Sequence, residues 1–286
     1  MAKYLSMVEA RARPALVLVA TPIGNLGDLG SRAIDELRNA DSVACEDTRR
    51  TGALFAHFGI AHDPFIVCND HTEAHAGVEI VRRVEAGQRV AFVSDAGSPA
   101  ISDPGYRAVR AAIDADIAIE IVPGPSAVIA AVSVSGFATD RFCFEGFLPR
   151  KGGERSRRLQ LVAGDERTTV LFESPRRLAA TIDELIVACG GTRRVMIARE
   201  LTKTYEEFWR GTLDGAAVYL ASEQMRGELV IVLEGAEDEE LDDAEITGML
   251  LELLTEGTSA RDAVRSVVER TGAPKRRVYA LANELT

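Results

Sequence analysis

The feature that most limits what this chain can fold into is a repeat of short apolar runs in its first half, each cut off by a turn of small or charged residues. Leu16 to Ala20 is unbroken and apolar, as in a strand covered on both faces of a parallel sheet, and Pro22, Gly24 and Asn25 stop it at once. Asp41–Cys45, Pro64–Cys68, Arg89–Ser94 and Ile117–Val122 repeat the pattern, and segments of helical spacing separate them. Strands alternating with helices predict an α/β fold, with a parallel-sheet, three-layer domain over 15–137. In open sheets of this kind ligands bind beyond the carboxyl ends of the strands. That is where the unusual stretches fall: TPIGN at 21–25, Glu46-Asp47-Thr48-Arg49-Arg50, Asn69 to Glu73, SDAGSPAISDPG at 94–105 and PGPSA at 123–127.

The 94–105 stretch is too rich in Gly, Pro, Ser and Asp for regular structure. A long polar loop straight after a buried strand points to ligand binding more than to a connector. Ser126 stands where it would cap the next helix, a role compatible with ligand contact. No G-x-G-x-x-G opens a helix after the first strand and no Walker lysine is present, so the usual NAD and NTP signatures are missing.

Past Asp140 the texture changes. Strands are expected at Arg141–Phe147, Thr168–Glu173, Arg194–Arg199, Tyr205–Gly211 and Glu228–Leu233. The last three have a single helix-length gap among them, which predicts a mixed or antiparallel sheet in a second α/β domain over 138–235. Its connections are basic. Pro149 to Arg158 carries five positive charges, and Arg176, Arg177, Arg193, Arg194, Arg199, Lys203 and Arg210 add more. Two readings stay open: solvated helix starts and turns, or a surface that tracks phosphates.

Residues 236–286 read as an acidic linker and a helical segment. Glu245–Leu254 is amphipathic, Ser259 caps a helix to Arg270, and a last helix runs from Lys275 to Leu285. The last two helices and their Gly-containing turn resemble a helix-turn-helix, with a bundle that has no nucleic-acid role as the other reading.

The net charge of −11 argues against nucleic-acid binding over the whole surface, but eight acids and no base lie between Glu234 and Glu245, so the remainder carries an excess of only three. Four scattered cysteines, Cys45, Cys68, Cys143 and Cys189, read as small buried hydrophobes without zinc spacing. His71 and His75 are four apart, but no accompanying pattern makes them metal ligands, and no metal is expected. No apolar run approaches the roughly 20 residues of a membrane span, so a cytoplasmic protein is expected, with no membrane partner.

Taken together, ATPIGNLGDL at 20–29, CEDTRRT at 45–51, SDAGSPAISDPG at 94–105, PGPSA at 123–127, FEGFLPRKG at 144–152, FESPRR at 172–177 and ARELTKTYEE at 198–207 resemble the bacterial small-subunit ribosomal RNA methyltransferase I group of the tetrapyrrole-methylase superfamily. The resemblance runs from about Ala15 to Gly235 and implies 2′-O-methylation of a cytidine in 16S rRNA with S-adenosylmethionine. It also implies two domains with the cofactor in the cleft between them, and a homodimer. Residue by residue, it puts Ile23 and Gly24, then Asp95, Ala96, Gly97 and Ser98, then Ser126 and Ala127, beside the cofactor. Arg49, Arg150, Lys151, Arg176, Arg177 and Lys203 are the cations expected to meet RNA. Asn69–Glu73 departs from the group, where a His-Glu-His-Asn-Glu-like run would be expected.

A ribose hydroxyl is a poor nucleophile at neutral pH and needs a base as well as in-line placement. Glu46, Asp47 and Glu73 are the candidate bases, Glu46 and Asp47 slightly ahead; a salt bridge to Arg49 or Arg50 would make either of those two structural. The alternatives are a small-molecule methylase acting on a tetrapyrrole-like substrate and a non-catalytic RNA-binding assembly factor.

Overall fold

The structure, a computed structural model, describes residues 13–61, 65–223, 225–237 and 242–285. Residues 1–12, 62–64, 224, 238–241 and 286 lie outside the described residues, so part of the expected strand at Pro64–Cys68 and of the acidic block falls there. The chain divides into two compact units, 1–236 and 237–286.

The first unit holds both sheets. Strands β1 (Ala15–Val19), β2 (Ser42–Cys45), β3 (Phe65–Val67), β4 (Arg89–Val93) and β5 (Ile119–Val122) form a parallel sheet in the order β3-β2-β4-β1-β5. Alternation along each strand sends neighbouring side chains to opposite faces. Val17, Val43 and Val93 pack with Leu37 and Phe55 from α1 (Ser31–Asn39) and α2 (Thr48–Phe58). Leu16, Val90 and Phe92 pack with Ile80, Ala108 and Ala112 from α3 (Glu73–Glu85) and α4 (Tyr106–Asp114). Both faces are covered, which is why these strands carry no polar face to give a period-2 signal. At the amino-terminal end of the sheet Arg89 is buried, with Nε 2.6 Å from Glu36 Oε1 and Nη2 2.6 Å from Glu120 Oε2.

The second sheet has the order β6-β7-β10-β8-β9, from β6 (Phe142–Phe147), β7 (Thr168–Glu173), β8 (Arg194–Arg199), β9 (Glu207–Thr212) and β10 (Leu229–Leu233). Only β6 and β7 pair parallel; the rest is antiparallel, so the sheet is mixed. One face packs on α6 (Gly153–Ala163), α7 (Leu178–Cys189) and α8 (Leu213–Ser222), through Leu159, Ile182, Leu185 and Leu213. The other face packs on α5 (Ala127–Ser135), whose Val128, Ala131 and Val132 meet Val170, Met196 and Val230. Ile23, from the turn after β1, belongs to that same core, so the two halves share apolar packing.

Cys45 and Cys68 are buried as expected, whereas Cys143 and Cys189 are only half-buried. Among the described residues no helix is long and apolar enough to cross a membrane.

The second unit contains α9 (Asp243–Thr255), α10 (Ala260–Thr271) and α11 (Lys275–Glu284) around Ile246, Leu250, Val264, Val267 and Val278. Helix α9 begins two residues before the expected Glu245, because the end of the acidic stretch is a capping box. Asp242 accepts from the Glu245 N–H, and the Glu245 carboxylate accepts from the Asp242 N–H. Ser259 caps α10 as its sequence suggested.

Candidate active site

Backbone pairing ties the turn after β1 to the loop after β4. Thr21 N–H donates to Gly97 O at 2.9 Å, Gly97 N–H donates back to Thr21 O at 3.1 Å, and the Thr21 hydroxyl donates to Ser94 O. Gly97 sits at φ 82°, which favours glycine, and a Cβ there would lie a tight 3.2 Å from Ile23 Cγ2. Further along the loop Ala100 (φ 68°) and Ser102 (φ 59°) also occupy the left-handed region, each at a cost on the order of 1 kcal/mol or more. The far end of the loop is pinned by Glu73, whose Oε1 accepts from the Gly105 and Arg107 N–H groups, both at 2.8 Å.

These constraints gather the strand tips around a cavity of about 410 Å³. Its first-sheet wall comprises Ile23, Glu46, Asp95 to Ser98, Asp103 and Ser126 to Val128; its second-sheet wall includes Phe147, Phe172, Glu173 and Leu229. An adjoining hollow of about 370 Å³ takes in Gly24, Arg50 and Lys203 and shares Ile23 and Asp95 with the first. A third, of about 460 Å³, lies beyond Phe147 and is lined by Arg150, Arg176 and Arg177. Every residue expected beside a cofactor therefore lies on the first cavity or its neighbour.

The three candidate bases separate. Glu46 lines the cavity. Its carboxyl is pushed up by burial and by the charges of Asp95 and Asp70, against the Asp95 N–H and Arg50. Asp47 is not on the cavity wall: it caps α2, accepting from the Arg49 N–H at 2.8 Å and pairing with the Arg49 guanidinium at 2.9 Å. Those bonds hold its carboxyl down at about 2, too weak a base for a hydroxyl proton. Glu73 is buried and spent on the start of α4, with Arg107 3.7 Å away.

Asp103 also lines the cavity, although the sequence assigns it no role; its one signal there is its place as the second acid of SDAGSPAISDPG, directly before Pro104. Arg50, expected only as a salt-bridge partner for Glu46 or Asp47, instead has its guanidinium 3.4 Å from Asp95 Oδ2, on the wall of both cavities.

The basic residues divide in the same way. Arg150, Lys151 and Arg176 are exposed and make no ion pair among the described residues. Arg49 is held by Asp47, and Arg177 donates to Leu148 O while approaching Glu173 Oε1 at 3.3 Å. Lys203 bridges Glu200 (2.9 Å) and Glu228 (3.1 Å) and packs against Gly24, where a Cβ would come within 2.4 Å of its Cγ. Two of the five charges between Pro149 and Arg158 are also internal: Arg155 is buried against Glu184 and Thr181, and Arg158 is held by Glu145. The exposed, unpaired basic surface is smaller than the arginine count implied.

His71 and His75 are exposed, and among the described residues no group of three or more His, Cys, Asp or Glu could hold a metal.

Residues 15–217 match the tetrapyrrole (corrin/porphyrin) methylases, and residues 240–286 match the RsmI C-terminal HTH domain. A protein of Synechocystis sp. named ribosomal RNA small subunit methyltransferase I is 44% identical over 273 residues, covering 94% of this chain and 98% of that one. The chain belongs to the ribosomal RNA small subunit methyltransferase I family. A Mesorhizobium japonicum protein of the same name is 43% identical, with 95% and 92% covered. Among solved structures, the fold is shared with uroporphyrin-III C-methyl transferase from Thermus thermophilus, complexed with S-adenyl homocysteine. That match has a TM-score of 0.55 at 18% identity, over 77% of this chain and 96% of that one. Diphthine synthase matches with a TM-score of 0.56 at 13% identity, over 85% and 96%. Family membership accounts for both units, since the C-terminal match falls within the second of them.

Proposed function

We propose that the chain transfers a methyl group from S-adenosylmethionine to the 2′-hydroxyl of a cytidine in 16S rRNA of the small ribosomal subunit. The observation that carries this reading is the meeting of TPIGN, SDAGSP and PGPSA in one cavity, with the unpaired Arg150 and Arg176 on the hollow beside it. The ribose and the cytidine come from the family resemblance; the small-subunit RNA comes from the relatives' name.

The residues present fit the cofactor. A volume of about 410 Å³ lies in the range of roughly 300–1,000 Å³ typical of small-molecule sites. The start of α5 at Ser126 to Val128 offers backbone N–H groups to a carboxylate, and Glu46, Asp95 and Asp103 suit a cationic ligand. Gly97 lets the loop backbone reach the cavity, and Ile23 supplies an apolar wall. When bound, the cofactor supplies an electrophilic methyl group on a sulfonium.

The chain's own part is placement, exclusion of water and acceptance of a proton. Methyl transfer depends on in-line approach, and much of the rate comes from holding the hydroxyl there. Arg150, Lys151 and Arg176 hold the RNA backbone beside the cavity, where exposed cations neutralise phosphates. Arg177 and Lys203 line the hollows beside the cavity, held by their carboxylate and carbonyl partners, and Arg49 is held by Asp47. Of the three expected bases, Glu46 is kept in the reacting site. The reading includes a homodimer, on the family resemblance, acting in the cytoplasm, where its ribosomal substrate is found.

Labelled S-adenosylmethionine incubated with the protein and small subunits, or with free 16S RNA, tests the reading. Label at a single ribose that resists alkaline cleavage is the expected result. Label confined to a small molecule, or none in RNA, rejects it.

A further inference from the structure

Five carboxylates besides Asp103 and Glu46 line the cavity or its rim or cap elements beside it, and each has a donor assigned. Asp95 accepts from the Asp47 N–H at 3.1 Å and faces Arg50. Asp47 has Arg49, and Glu73 has two N–H groups. On the opposite wall Glu173 is buried and accepts from the Ser174 N–H and the Thr181 hydroxyl, while Glu228 pairs with Lys203. Asp103 faces the same cavity, and among the described residues it makes no ion pair. The groups facing it are the neutral Ser94 hydroxyl from the end of β4, then Glu46 after β2, Asp95 in its own loop and Asp70 after β3.

We propose that Asp103 is the general base that takes the proton of the RNA hydroxyl, and that Glu46, on the same cavity wall, acts through it as a positioning residue. The assignment rests on the ribose reading above. A lone pair on the ribose oxygen forms the new bond to the methyl carbon, and the electron pair of the broken carbon–sulfur bond stays on sulfur. The hydroxyl proton passes to the Asp103 carboxylate and from there to water. Charge balances, since the sulfonium becomes a neutral thioether and the carboxylate a neutral acid.

Three observations support Asp103 over Glu46. Asp103 makes no ion pair among the described residues, whereas Glu46 is opposed by the Asp95 N–H and Arg50. Burial first, then the charge of Glu46, outweigh the Ser94 hydrogen bond and push the Asp103 carboxyl up to about 6. A base serves best when its pKa lies near the working pH. Third, the left-handed Ala100 and Ser102 on one side and the Glu73-pinned Gly105 on the other fix the loop that presents it. Because the folded pKa is raised, Asp103 is ionised and competent above about pH 6 and protonated below it, so turnover falls as the pH drops through that value.

The test compares the full-length protein with Asp103→Asn and Glu46→Gln in single-turnover methyl transfer to small subunits from pH 5 to 8.5. Calorimetric cofactor binding and infrared titration of carboxyl groups in the cofactor-free protein accompany it. At pH 7.5 Asp103→Asn lowers the transfer rate by about 10²–10⁴-fold, the usual contribution of a general base, with cofactor affinity within about tenfold of wild type. It also removes a carboxyl band that titrates near pH 6. Glu46→Gln shifts the acid limb of the rate and that band to lower pH, because a negative neighbour is gone. An Asp103→Asn rate within about tenfold of wild type, an unchanged acid limb, or a band that survives in that variant overturns the assignment. Methyl found on a base in the wild-type product overturns the ribose reading together with it; a ribose product made by active Asp103→Asn overturns the assignment alone.

Discussion

At the amino-terminal end of the parallel sheet, Arg89 on β4 is 6% exposed and meets Glu36 and Glu120, while its backbone N–H reaches Asp41. At the carboxyl end, just beyond the same strand, Asp95 and Asp103 share the cavity with Glu46, and Arg50 pairs with Asp95. Buried charge in the first place is matched donor for acceptor; in the second, like charges are left facing one another. Matching serves a closed foundation, and mismatch raises carboxyl pKa values where a proton has to move. The contrast teaches that in this fold the informative end of a strand is the one whose charges do not cancel.

The largest expected effect comes from breaking the matched end. Arg89→Met strands a buried Glu36 and lowers unfolding free energy by about 3–5 kcal/mol in urea titrations, with cofactor affinity of the folded protein unchanged. Next is Glu73→Ala, which takes the acceptor from the buried Gly105 N–H and the part-buried Arg107 N–H. It costs about 1–3 kcal/mol and speeds amide exchange at Gly105 and Arg107, without moving the acid limb of the rate. If that limb did move, Glu73 would be part of the proton path and the division between the two ends would be lost. The smallest effect has the opposite sign. A raised folded pKa means that Asp103 favours the folded state only below its unfolded pKa, and that this contribution is lost as the pH rises through about 6. Asp103→Asn is therefore expected to melt slightly higher than wild type above pH 7, with the difference gone below pH 4, a cost of the kind active sites impose.

Much of the scaffold was legible in the chain. β7 and β8 begin and end where their apolar runs do, and the strand tips that line the cavity were marked by Gly, Pro and Ser. What stayed hidden depends on partners distant in sequence. Glu73 and Asp103 look equally available in a string of letters, but Glu73 finds Gly105 32 residues away and is saturated. Arg155 resembles Arg150 until Glu184, 29 residues on, takes it into the interior. Asp47 was hidden for a local reason: in a strand-to-helix turn the same residue type can cap the helix or face the ligand, and the choice follows from which peptide N–H groups the turn exposes. Edge strands β5 and β9 each begin two residues later than expected, where neighbours on a single side leave the ends unpaired.

The central claim is that one methyl donor occupies the cavity formed by the tips of β1, β4 and β5. The most direct measurement is an experimental structure of the protein with S-adenosylhomocysteine. The account predicts the ligand against Ile23, Asp95 to Ser98 and Ser126 to Val128. The same ligand, well ordered, in the Arg150–Arg176 hollow or elsewhere on the molecule, with this cavity left to solvent, would contradict it.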